Sequence, residues 1–141
     1  MSFMPTPTRE IRPEGSRQSK IAIVGSFTDG FDSNALKPFQ GGGGNILEQC
    51  LHHAGLIRGE CYLTHLFKER VKNEFELAYA KKNTSEWVFT PRGQREVERL
   101  REELSATEAN VIVACGGAAA AALAGIRKLA SLRGYVFESI G

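Results

Sequence analysis

The chain has 141 residues, 42% of them hydrophobic and 24% charged, with a formal net charge of +2. That is enough apolar material for one core and enough charge for a soluble surface, and the charge is too small to demand a nucleic-acid partner. No stretch reads as a signal peptide or a membrane span, and the thiols of Cys50, Cys61 and Cys115, which form no C-x-x-C pair, suit a reducing cytoplasm.

Residues 1–19 carry three prolines and little periodicity, and read as a mobile arm ahead of a single α/β domain over residues 20–141. Ile21 to Val24 are continuously apolar and largely β-branched, which predicts a strand from Lys20 to Gly25 buried on both faces of a parallel sheet. A loop follows at the strand's carboxyl end, where open α/β sheets place ligands. It closes on Gly41, Gly42, Gly43 and Gly44, whose bare backbone admits a phosphate, and on a helix predicted from Asn45 to Ala54 whose amino terminus favours an anion. The plainer reading is a flexible turn, since the glycines match neither a P-loop nor a dinucleotide fingerprint.

A second strand is predicted from Glu60 to Phe67, then a polar segment from Lys81 to Pro91. A charged helix from Gly93 to Ala106 follows, with Val97, Leu100 and Leu104 as its core seam. Asn110 to Cys115 read as a third buried strand, and Gly116-Gly117 opens an alanine-rich helix from Ala118 to Ala124. That turn is a second place for phosphate or, equally, for close helix packing. Tyr135 to Ile140 read as a last short strand or as loop. Basic clusters at Lys68, Arg70 and Lys72, at Lys81 and Lys82, and at Arg127, Lys128 and Arg133 are either phosphate contacts or solvated faces.

Several ordered segments, Gly25, Pro38-Phe-Gln-Gly-Gly-Gly-Gly-Asn-Ile-Leu47, Leu51-His-His-Ala-Gly-Leu-Ile-Arg58, Cys61-Tyr-Leu-Thr-His-Leu-Phe-Lys68, Phe89-Thr-Pro-Arg-Gly93, Asn110-Val-Ile-Val-Ala-Cys-Gly-Gly117 and Arg133-Gly134, resemble the motifs of the uracil-DNA glycosylase superfamily. The likeness is to the iron-sulfur branch and its bacteriophage-type relatives, and covers roughly residues 20 to 141. It implies a three-layer α-β-α fold around a short, mainly parallel sheet. It also implies DNA, single-stranded or with an extruded base, as partner.

At the working positions the resemblance is partial. Phe39 falls where the family's base-stacking phenylalanine sits, and is otherwise a core residue pinning the loop. Ser26 stands where the family has a glutamate, and a serine without an activating partner is no general base near neutral pH. Asp29 and Asp32 are the candidate catalytic carboxylates from a shifted position, or are Asx-turn residues. His65 replaces an asparagine that reads uracil; an imidazole presents its donor and acceptor on opposite sides of a ring, so it reads another base, contacts phosphate or caps the strand. The family's late His-Pro-Ser is absent from the sequence, which predicts a missing or modified fourth strand and an open sheet edge available to a second chain or a replication or modification protein. The iron-sulfur relatives begin their cluster with a C-x-x-C pair, so no metal or other cofactor is expected.

Three functions follow as expectations. The leading one is a glycosylase-fold DNA-binding protein without ordinary uracil excision, accessory to replication, repair or modification. The others are an active N-glycosidase with altered base choice and a protein-interaction module using the open edge.

Overall fold

A computed structural model describes residues 9–84, 86–124 and 129–131. Its central sheet is built from β1 (Ile21–Gly25), β2 (Cys61–His65), β5 (Val111–Ala114) and β6 (Leu129–Ser131), all parallel in the order β2-β1-β5-β6. The helices are α1 (Gly30–Ala35), α2 (Gly42–His53), α3 (Pro91–Ser105) and α4 (Gly117–Ala122). A two-stranded antiparallel ribbon joins β3 (Ala78–Ala80) to β4 (Trp87–Phe89).

Alternation along β1 sorts the core onto two faces of the sheet. Ile23 faces Leu47 and Leu51 of α2, with Leu63 and Phe39, whereas Ala22 and Val24 face Val97, Leu100 and Leu104 of α3 and Ala118 and Ala122 of α4. This is the expected α/β sandwich with a short parallel sheet. The chain leaves β1 towards β2 on one side and later returns to β5 on the other, so the carboxyl end of β1 is a topological switch point, where ligand crevices form.

Five details differ from the sequence reading. Helix α2 starts at Gly42, not Asn45, and α3 starts at Pro91, because the Thr90 hydroxyl caps it by accepting from Gly93 N–H at 3.1 Å and proline suits a first turn. The segment expected to be simply polar after Lys81 holds the β3–β4 ribbon, whose three-residue strands are too short to show a period.

The fourth strand of the central sheet is present but short, at Leu129–Ser131, so the edge of β5 is paired and not open. The alternative segment from Tyr135 to Ile140 lies outside the described residues. Finally, the expected arm is docked from residue 9 onward. Ile11 is buried, its N–H donates to Lys68 O, Glu14 and Leu63 exchange backbone hydrogen bonds of 2.9 and 2.8 Å, and Glu108 N–H donates to Arg17 O. Residues 1–8 lie outside the described residues. No helix among the described residues is long and apolar enough to cross a membrane.

Candidate functional site

At the carboxyl ends of β1, β2 and β5 lies a cleft of about 340 Å³. Ser26, Asp29, Asp32, Phe39, Gly41, Gly43, Gly44 and His65 all line it, so residues spread over 40 positions of sequence meet in one place; Gly42 is not in the lining. Phe27, Ile46, Leu47, Cys115 and Gly116 complete the wall, giving a mostly apolar site with a few convergent polar groups. Burial pushes the Cys115 thiol up to about 12, so it is no nucleophile near neutral pH.

His65, the last residue of β2, is 4% exposed. Its Nε2 accepts the backbone N–H of Phe39 at 3.2 Å, and its Nδ1 lies 3.0 Å from the carbonyl of Phe27. A nitrogen that accepts carries no proton, so the proton sits on Nδ1 and is donated to Phe27 O. Burial, the largest influence, lowers the pKa against the pull of Asp32, which keeps the ring neutral; the 3.9 Å approach of Asp32 Oδ2 to Nε2 is therefore not an ion pair at neutral pH. Both ring nitrogens are thus committed to backbone, and the reading of His65 as a base-reader gives way to one as a pin between the loops that follow β1 and precede α2.

Phe39 is held by that pin with φ of +56°, a left-handed conformation that a bulky residue rarely adopts. Its ring packs on His65 with centroids 4.8 Å apart and also faces the cleft. Close packing crowds Gly25, where a Cβ would stand 3.0 Å from Phe39 Cζ and 3.1 Å from His65 Nε2, so a side chain there would push on the ring. The two readings of Phe39, core anchor and base platform, are therefore compatible in geometry.

Ser26 has a role that the sequence did not disclose. Its hydroxyl donates to Cys115 O and accepts the N–H of Ala119, each at 3.0 Å. Ala119 is the third residue of α4, whose own cap, Gly116, has no side chain, so Ser26 caps that helix from across the sheet. Its hydroxyl is thereby engaged twice and has no base partner.

The two aspartates diverge. Asp32 is 3% exposed; Oδ1 accepts Gln40 N–H at 2.8 Å and Oδ2 accepts Asp29 N–H at 3.2 Å, which ties α1 to the loop before α2. Asp29 caps α1 through Oδ1, which accepts Asp32 N–H at 2.8 Å, and together they form a capping box. Asp29 is exposed, and its Oδ2 lies 2.8 Å from where a Cβ on Gly41 would stand. Of the two candidate carboxylates, only Asp29 keeps an oxygen open to the cleft.

The glycines also separate. A Cβ on Gly44 would overlap the carbonyl of Phe39, whereas Gly42 and Gly43 have nothing within 4 Å. Gly44 is required by packing, while the first turn of α2 stays bare, with no acidic residue and no side-chain cap to occupy its N–H groups.

A further residue without a sequence signal is Arg58, ahead of β2. Its guanidinium donates to the carbonyls of Pro38 (2.9 Å) and Phe39 (3.2 Å), pairs with Glu14 at 2.8 Å and reaches Glu48 at 3.3 Å. One planar fork thus holds the loop, the docked amino-terminal segment and α2 together.

Lys68 leaves the list of phosphate candidates. It is buried, its Nζ bound to Thr64 Oγ1, His65 O and Glu103 at 3.1, 2.8 and 2.6 Å. Arg70, Lys72, Lys81 and Lys82 are exposed or half-buried, and Arg127, Lys128 and Arg133 lie outside the described residues. A larger groove of about 880 Å³ runs between residues 9–17 and α3, but it gathers none of the predicted catalytic or base-binding residues.

Comparison with family models matches residues 12–140 to the uracil DNA glycosylase superfamily.

Proposed function

Because the chain belongs to the uracil DNA glycosylase superfamily, we propose that it holds a DNA strand or an extruded base in the cleft at the end of β1 without ordinary uracil excision, as an accessory to DNA repair, replication or modification. The commitment of both His65 ring nitrogens to backbone carries this reading, because the residue at the family's base-reading position then has no free donor or acceptor for the edge of uracil. Ser26 supports it, as a doubly engaged hydroxyl in place of an acid. Phe39 supplies a ring for stacking, and the bare first turn of α2 supplies N–H groups for a phosphate.

A second reading rests on Asp29. Its open Oδ2 at the cleft could polarise water while the loop stabilises a sugar cation, which would make the protein an N-glycosidase with altered base choice. The interaction-module reading does not find its open edge at β5, where β6 pairs.

The test measures abasic-site formation and binding on single- and double-stranded oligonucleotides carrying uracil and modified pyrimidines. Salt-dependent binding that drops on Phe39→Ala, with no base released, is the expected result. Release of a base that stops on Asp29→Asn would establish the second reading, and loss of all DNA affinity would end both.

A further inference from the structure

The rim of the cleft carries an apolar surface that neither the core nor the cleft's polar groups explain. Phe31, in the first turn of α1, is 70% exposed, and Ile46, in the first half of α2, is 64% exposed. Single exposed hydrophobics are ordinary, but these two flank the same glycine loop: Phe31 Cδ2 lies 3.2 Å from where a Cβ on Gly41 would stand, and Ile46 lines the cleft beside Gly43 and Gly44. Beside them stands a cation. The exposed Arg70 guanidinium places Nη1 2.9 Å from a Cβ on Gly30, the residue before Phe31, and among the described residues it has no carboxylate within ion-pair distance.

An open aromatic face, an adjacent unpaired guanidinium and a bare helix terminus are the elements that bind single-stranded nucleic acid: the ring stacks on a base, and the cation and N–H groups take the phosphates on either side. We propose that Phe31 is a second stacking platform, outside the cleft, for the nucleobase next in the strand to the one seated against Phe39, with Arg70 on a phosphate beside it. This rests on the reading of the cleft as a DNA site. The occupant is a single strand or a locally unstacked one, because a base paired within a duplex has its faces covered by its neighbours.

The probe is a fluorescein-labelled oligothymidylate of about 12 nucleotides. Phe31→Ala is expected to weaken binding roughly tenfold and Arg70→Gln to weaken it and lower its salt dependence, with both variants folded because both side chains are exposed. Phe31→Trp should keep the affinity and lose indole emission on adding the oligonucleotide, with wild-type protein as the control for Trp87. An affinity unchanged in Phe31→Ala, or an emission unchanged in Phe31→Trp, overturns the proposal. If Phe39→Ala weakens binding and Phe31→Ala does not, only the second platform falls; if wild-type protein binds no DNA, the cleft reading falls with it. A change of native mass in Phe31→Ala without a change of affinity would show that the rim contacts a second copy of the chain, which also overturns the proposal.

Discussion

The backbone N–H of Phe39 ends on Nε2 of His65, 3.2 Å away, so one neutral imidazole holds an aromatic residue in a left-handed conformation at the floor of the cleft. The site's geometry therefore depends on a protonation state.

Acidification is expected to loosen the protein through His65. Its pKa is lowered in the fold, so the unfolded chain binds the proton first, and the contribution of the neutral ring is complete above about pH 6.5 and declines as pH falls from there towards the folded value. The slope in that window is at most about 1.4 kcal/mol per pH unit from this one group. Urea denaturation between pH 5.5 and 7.5 should show a steeper decline in wild-type protein than in His65→Asn. Parallel curves for the two proteins would contradict the assignment. His65→Asn should itself be destabilised by about 1–3 kcal/mol, since a carboxamide cannot span both the Phe27 carbonyl and the Phe39 N–H.

Two neighbouring glycines should respond with opposite sign. Gly44→Ala places a methyl group into the Phe39 carbonyl and is expected to cost more than about 2 kcal/mol, or to prevent folding. Gly43→Ala meets nothing and lies in the first turn of α2, where alanine should stabilise by up to about 0.5–1 kcal/mol. Thermal melting of the two variants measures the contrast, and equal effects would contradict the packing described for this turn.

Ser26→Ala removes the cap of α4 and leaves Ala119 N–H and Cys115 O without their partner. The expected cost is about 1–2 kcal/mol in denaturant unfolding. Ser26→Thr, which keeps the hydroxyl, should recover part of it.

Asp29 and Asp32 should separate stability from chemistry. Asn is as good a cap as Asp, so Asp29→Asn should melt close to wild type, and any base release that exists should stop with it. Asp32→Asn turns one of two buried acceptors into a donor facing Gln40 N–H or Asp29 N–H, and is expected to cost roughly 2 kcal/mol or more. A release activity that survives Asp29→Asn would remove this carboxylate from consideration.

The parallel sheet was legible because Ile21 to Val24 and Val111 to Ala114 are unbroken apolar runs between loop residues, and the shared place of the candidate residues because they follow β1 or end β2, at one end of the sheet. Roles were less legible than places. That Ser26 caps a helix 93 residues away, or that His65 has both nitrogens engaged, depends on which strands become neighbours, and no local pattern encodes it. The docked segment was missed because its attachment consists largely of backbone hydrogen bonds, with Ile11 as its one deeply buried apolar anchor, and so leaves no hydrophobic period. Arg58 looks like any surface arginine in sequence, since its partners come from three separate segments.

Arg58 gives the docked amino-terminal segment a mechanical tie to the cleft. Glu14 holds one side of the guanidinium, whose other side holds the Pro38 and Phe39 carbonyls, and Arg12 N–H donates to Leu36 O at 2.9 Å, so residues 9–15 are tied at two points to the loop that carries Phe39. The loop under a ligand is thus braced from outside the cleft, by a segment that itself docks along the edge of β2.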